Sequence, residues 1–225
     1  MISINVKEIC KTFKNQSVLE NISFQANAGE LIGIVGGNGC GKSTLMNILA
    51  GVIKCDSGSV EYLFPDNPPP KKNSGQKVAY VPQENYLLKE LSVYDNLLFW
   101  YQGDKQKLEN DLAKDLATSL EINEYRNKKV GKLSLGMQKR VAFFCALASQ
   151  PKILLLDEIG SPLDIVSRIK IQQYLTKYTH EGNIVIMITH DQGDANICNR
   201  ILHIKEKKIV EEKTLLLTEI FGEHL

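Results

Sequence analysis

The sequence has no excess of charge of either sign and no long apolar run, and each absence removes a class of function. Its 27 Lys and Arg stand against 26 Asp and Glu, a formal net charge of +1. That balance argues against a general nucleic-acid binder and leaves no polybasic patch for a membrane surface. No stretch approaches the roughly 20 apolar residues needed to cross a bilayer. The opening MISINVKEIC lacks a charged start followed by an apolar core, so it reads as a strand rather than a leader. Cys10, Cys40, Cys55, Cys145 and Cys198 are odd in number and follow no metal-ligand spacing. A reduced, cytosolic setting follows more simply than a disulfide framework. Internal repeats and low-complexity tails are also missing.

What is present begins with enough apolar material, 43% of 225 residues, for one large domain or one domain with an insertion. The organising stretch is GGNGCGKST, Gly36 to Thr44, between the apolar run Leu31–Val35 and the helically spaced Leu45, Met46, Ile48 and Leu49. Strand, glycine loop and helix form the context of a phosphate-binding loop. Gly36, Gly37, Gly39 and Gly41 permit the backbone conformations that turn N–H groups of the loop, Asn38 and Cys40 included, toward a polyphosphate. Lys42 can then reach the β- and γ-phosphates, the Ser43 hydroxyl can ligate Mg²⁺, and the helix that opens through Thr44 adds its positive end. A glycine turn with no ligand would not require lysine and hydroxyl in this register. Cys40 reads as a small residue that fits the loop.

Elsewhere, alternating apolar residues from Ile2 to Phe24 predict two antiparallel strands with a polar turn near Asn15 and Gln16. Gly51 to Tyr62 reads as a turn and an edge strand, and Phe64 to Lys77, with four prolines, as a surface loop. Val78–Val81 is a short strand ending at Pro82 and Gln83. From Ser92, a candidate helix cap, the period becomes helical: Val93 to Tyr101, then Leu108, Leu112, Leu116 and Leu120 in a second helix, then a third through Val141 to Ala148 that Pro151 closes. The α/β pattern returns with strands at Ile153–Leu156 and Ile184–Ile188, a helix from Ile165 to Tyr178, and a closing hairpin from Ile201 to Val210. The apolar run Leu97 to Tyr101 is open to two readings, helix core or part of a docking groove.

Ile153-Leu-Leu-Leu-Asp157-Glu158 places two carboxylates at the carboxyl end of a buried strand, where ligands gather in parallel sheets. Asp157 is suited to hold Mg²⁺ through its waters, and Glu158 to polarise an attacking water. A strand that merely ends in solvated acids is the alternative, and the phosphate loop counts against it.

Taken in order, GGNGCGKST, VPQ with Gln83, LSLGMQKR from Leu133 to Arg140, LLLDE, SPLD with Asp164 and ITHD with His190 resemble the nucleotide-binding subunit of ABC transporters. The resemblance covers essentially the whole chain. It implies a P-loop NTPase core, α/β in class, with an antiparallel β subdomain and an inserted α-helical subdomain. As one domain over 1–225, residues 1–84 and 150–225 would form the core and about 85–149 the helical insertion. The resemblance further implies that Phe13 stacks on adenine, against the alternative of a strand core residue. Gln83 would sense Mg²⁺ and the attacking water, His190 would meet the γ-phosphate, and Asp164 would work across a dimer interface. Ser134, Leu135, Gly136 and Met137 occupy the signature, which the family uses in trans on ATP held by a second subunit. Leu135 replaces the first glycine of the usual LSGGQ, and Met137 stands where glutamine is common.

The resemblance implies an ATP- and Mg²⁺-dependent ATPase that dimerises with itself or with a second such subunit. It would sit on the inner face of the cell membrane and power a separately encoded permease, with LSLGMQKR favouring an exporter. A soluble ATPase of the cofactor-assembly or cell-division type is the alternative. A non-hydrolytic regulatory module is opposed by the intact Glu158 and His190.

Overall fold

The computed structural model describes residues 1–65, 77–84 and 86–212. Most of the proline-rich stretch expected to be a surface loop lies outside the described residues. Strands β1 (Ser3–Phe13) and β2 (Gln16–Asn27) form the expected antiparallel hairpin. Lys14 and Asn15 turn it with positive φ values of 45° and 66°, the twist that two-residue hairpin loops require. β3 (Leu31–Val35) follows, then α1 (Lys42–Leu49) and β4 (Ser57–Leu63), which pairs with β1 as the edge of a three-stranded sheet ordered β2-β1-β4.

The second sheet contains the carboxyl-end site. β5 (Val78–Val81), β6 (Ile153–Asp157), β7 (Ile184–Ile188) and β3 run parallel, then β8 (Arg200–Lys205) joins β3 in parallel and β9 (Lys208–Glu212) closes antiparallel, in the order β5-β6-β7-β3-β8-β9. Every residue of β3, β6 and β7 is buried, as continuous apolar strands covered on both faces should be. Alternate residues feed different cores. Ile153 and Leu155 pack with α1 and the β1–β2 sheet, whereas Leu154 and Leu156 belong to a second core with Leu97, Phe143 and Leu175.

In the helical region, α2 (Val93–Trp100) starts at Ser92, whose hydroxyl accepts the Asp95 amide at 3.0 Å within a reciprocal capping box. The expected second helix is divided into α3 (Lys105–Leu112) and α4 (Asp115–Ser119). Leucines at strict intervals of four slip by about 40° per step on a helix of 3.6 residues per turn, so one continuous helix would carry Leu108 and Leu120 to different faces. The break at Ala113 and Lys114 resets the phase and keeps Leu108, Leu112 and Leu120 all buried. Asn123 Nδ2 donates to the Leu112 carbonyl at 2.9 Å and satisfies the end of α3. α5 (Leu135–Ala146), α6 (Ile165–His180) and the short α7 (Gln192–Asn196) complete the α-helices among the described residues, and α7 had no periodic signal in the sequence.

Asn96, 1% exposed, ties α2 to the chain that follows Gln83. Its Nδ2 donates to the Leu88 and Ser92 carbonyls at 3.0 and 2.9 Å, and its Oδ1 accepts the Leu88 amide at 2.8 Å. Asn96→Ala strands these groups in a dry environment and is expected to cost about 2 kcal/mol or more, read as a lower urea midpoint at an unchanged denaturant slope.

Candidate functional site

The loop after β3 is built by steric exclusion. Gly36 has φ 147°, and a Cβ there would stand 2.6 Å from the Ile204 carbonyl oxygen. Gly41 has φ 108°, and its Cβ would meet Leu19 at 2.8 Å. These two glycines are required by the chain itself. Gly37 has open space on its Cβ side, so its smallness serves approach from outside. Lys42 folds back over the loop, its Nζ donating to the Gly36 and Gly37 carbonyls at 2.9 Å each. α1 begins at Gly41 with neither a side-chain cap nor an acid in its first turn, which leaves its positive end to an anion.

The parallel register brings Asp157, Glu158 and His190 to the same edge as this loop. Asp157 closes β6, and burial pushes its carboxyl pKa upward, with Ser43 and Lys139 opposing the shift and Glu158 adding to it. Its Oδ1 is buried with no hydrogen-bond partner, and Oδ2 has the Tyr80 hydroxyl at 3.5 Å. Glu158 leaves the strand in a left-handed conformation, φ 50°, a strained geometry for a residue with a Cβ. That turn aims its carboxylate between two of the other expected site residues. Gln83 Nε2 donates to Oε2 at 2.8 Å and His190 Nε2 meets Oε1 at 2.9 Å.

Lys139, which the sequence shows only as one residue of LSLGMQKR, holds the Gln83 segment. Its ammonium, buried on α5, donates to the Pro82 and Gln83 carbonyls at 2.8 and 2.6 Å. Burial lowers its pKa, and the nearby Asp157 and Glu158 pull the other way. The 57 residues separating Lys139 from Pro82 hid this link from any local pattern. Gln83, Leu135, Gln138, Lys139, Glu158 and Pro162 line one cleft.

The remaining expected residues stand apart from that cluster. Ser134 caps α5, accepting the Met137 amide at 3.2 Å. Gly136 lies against the Pro162 carbonyl, which a Cβ would approach to 2.6 Å. Asp164 caps α6, and hydrogen bonds from Ser167 hold its carboxyl below the usual range. Phe13 is 45% exposed, with the Lys11 ammonium 5.2 Å from its ring centroid, so it is not a strand core residue.

With this geometry in place, the ABC transporter family profile matches residues 19–161. The chain belongs to the ABC transporter ATP-binding family. It is 33% identical over 211 residues to an uncharacterized ABC transporter ATP-binding protein of Methanocaldococcus jannaschii, covering 92% of this chain and 76% of that one. It is 32% identical to the sn-glycerol-3-phosphate import ATP-binding protein of Vibrio cholerae, over 94% of this chain and 58% of the relative, which is therefore considerably longer than the stretch it shares. The lipopolysaccharide export system ATP-binding protein of Escherichia coli K12 is 29% identical, over 95% and 91%. Among solved structures, a dimeric ATP-binding cassette in a post-hydrolysis state with ADP and Pi superposes with a TM-score of 0.78 at 29% identity, over 93% of this chain and 98% of that one. This ABC cassette is an ATPase and the ATP-binding part of a transport system. Its relatives include an import and an export protein, so likeness does not fix a direction.

The cassette carries a cost at Asp157 that a neutral side chain would avoid. A carboxyl whose folded pKa is raised gains stability as pH falls and loses it as pH rises through the folded value. Asp157→Asn is therefore expected to melt at or above the temperature of the ligand-free wild type at neutral pH, with the gap closing on acidification. Thermal unfolding followed across pH checks both the sign and the closure.

Proposed function

We propose that this cassette hydrolyses ATP with Glu158 as the base that accepts a proton from the attacking water, and that it drives a separately encoded membrane permease. The convergence of Gln83 and His190 on the Glu158 carboxylate carries the reading. Each carboxylate oxygen keeps a lone-pair direction for a water beyond the donor it already has. As the water's oxygen attacks the γ-phosphorus, its proton passes to Glu158, the bond to the bridging oxygen breaks, and ADP leaves with that electron pair. His190 and the loop amides face the γ-phosphoryl oxygens, and Lys42 leaves the Gly36 and Gly37 carbonyls to reach the phosphates.

Mg²⁺ fits the donors present. Asp157 and the Ser43 hydroxyl are hard oxygen ligands, and Asp157 Oδ1 is a buried acceptor without a donor. Among the described residues no group of three or more His, Cys, Asp or Glu could hold a metal ion alone, which suits an ion completed by substrate phosphates and water. Bound there with Gln83 near, Mg²⁺ would offset charge on the phosphates.

The cassette would pair head to tail with a second copy or a related subunit, Ser134 to Met137 facing ATP on the partner and Asp164 crossing the interface. Phe13, exposed at the hairpin tip next to a strand that packs on Gly41, is available to stack on adenine. Permease docking draws support from α2, where Leu97 and Tyr101 are core but Phe99 is 66% exposed and Trp100 packs edge-on against Tyr86 at 5.0 Å. No helix among the described residues is long and apolar enough to cross a membrane, so the membrane path would belong to that partner. Export rests on the methionine-bearing signature alone. The cassette would work at the inner face of the cell membrane.

Glu158→Gln is expected to cut ATP turnover by about 100-fold or more while ATP still binds, and to collect as an ATP-dependent dimer by light scattering on a sizing column. Ordinary turnover in that variant would remove Glu158 from the role of base. Co-purification with a polytopic membrane protein separates the transport reading from a soluble cofactor-assembly or cell-division ATPase.

A further inference from the structure

A second charged cluster lies behind His190 and takes no part in the chemistry above. Arg168, in the first turns of α6, spans two carboxylates: its Nη2 pairs with Asp191 Oδ1 and its Nε with Asp194 Oδ1 at 2.9 Å. Asp194 is 4% exposed, and its carboxylate also accepts from Gln172 Nε2 at 2.7 Å and Thr189 Oγ1 at 3.2 Å. Asp191 Oδ1 accepts the Gly193 and Asp194 amides at 2.6 and 3.2 Å, and the Asp191 amide donates to Thr189 Oγ1 at 3.0 Å. The residues on both sides of His190 are therefore tied into one cluster, and α6 supplies its cation.

The same cluster touches the segment leading to Asp164. A Cβ on Gly160 would stand 2.5 Å from Asp194 Oδ2 and 3.5 Å from Arg168 Nε. Gly160 carries no left-handed φ, so glycine is needed there for the close approach of the carboxylate. A buried carboxylate of this kind persists only while its donors are held in place, and a guanidinium fork fixes two carboxylates at a set distance and angle in a way an ammonium cannot.

We infer that Arg168 is a positioning residue for His190, and that Asp194 is the hub through which the Gly160–Asp164 segment sets the contact between His190 and Glu158. Displacement of that segment by a second subunit then moves the loop of His190 through the shared cluster. This rests on the proposed roles of His190 and Glu158. It concerns a link within one chain, from the segment that faces a partner to the residue that faces the γ-phosphate.

Steady-state ATPase kinetics of the full chain test it, with Arg168→Gln, Arg168→Lys, Gly160→Ala and His190→Ala compared at saturating Mg²⁺. Loss of alignment without loss of nucleotide contacts is expected to lower kcat roughly tenfold or more in Arg168→Gln, while KM for ATP stays within about twofold. Arg168→Lys is expected to recover part of kcat, since one ammonium can serve one of the two carboxylates. Gly160→Ala pushes on Asp194 from the other side and leaves every charge in place, so it should give the same split even if Arg168→Gln folds poorly. Wild-type kcat in both Arg168→Gln and Gly160→Ala, with His190→Ala slow, overturns the inference and leaves the role of His190 standing. A rise in KM parallel to the fall in kcat, with no recovery by lysine, also overturns it. Normal turnover in His190→Ala removes the role of His190 itself, and the inference with it.

Discussion

The parallel register of four neighbouring strands is the constraint on which the site depends. Ile34 is opposite Ile188, and Ile188 opposite Asp157, while Leu156 is opposite Val81. Each chain leaves the sheet within a residue or two of the same line: Gly36 after β3, Pro82 after β5, Glu158 after β6 and Thr189 after β7. The ladder continues one bond past the strands, with the Glu158 amide donating to the Ile188 carbonyl at 3.2 Å and the Thr189 amide to the Ile34 carbonyl at 3.4 Å. A one-residue slip in β6 would turn Asp157 to the opposite face and separate Glu158 from Gln83 and His190. The buried apolar strands thus place the polar chemistry.

Placing that chemistry at the end of dry strands carries physical penalties, and the surroundings show how the electrostatic one is contained. Asp157 is ionisable in a place where burial favours the neutral form, and Glu158 is held in a conformation that residues with a Cβ avoid. Lys139 answers the first. Its buried ammonium offsets the two carboxylates while its donors fix the Pro82 and Gln83 carbonyls, so one side chain of α5 balances charge and sets the position of the Gln83 amide. The helix that begins at the signature serine is in this way tied to the centre of the site within its own chain.

What the sequence made legible was local. The glycine loop between β3 and α1, the two carboxylates at the end of β6, the Ser92 cap and the closing hairpin each sit in a window of a few residues with a pattern that physics restricts, and each has the local backbone that the pattern predicts. The division of the leucine helix was missed because apolar spacing reports which residues are buried and says little about small phase errors that a short break can absorb. Lys139 and Arg168 were missed as functional groups because their partners are 57 and 26 residues away, and a lysine or arginine on a helix gives no local sign of which carbonyl or carboxylate it will reach. The five-residue α7 is too short for periodicity, although an aspartate at its start, Asp191, is the kind of cap that marks a helix.

The leucine in the signature shows how the structure separates two demands that a sequence motif merges. Gly136 is required by its own chain, because the Pro162 carbonyl leaves no room for a Cβ. Position 135 carries no such restriction: Leu135 is the first residue of α5, has no left-handed φ and is 67% exposed. Ser134 meanwhile is already occupied as the helix cap. A glycine at the first of the two positions in the usual LSGGQ is therefore not required by the packing of this chain, whereas one at the second is. Leucine is accommodated there without backbone strain, its side chain on the exposed surface at the start of α5.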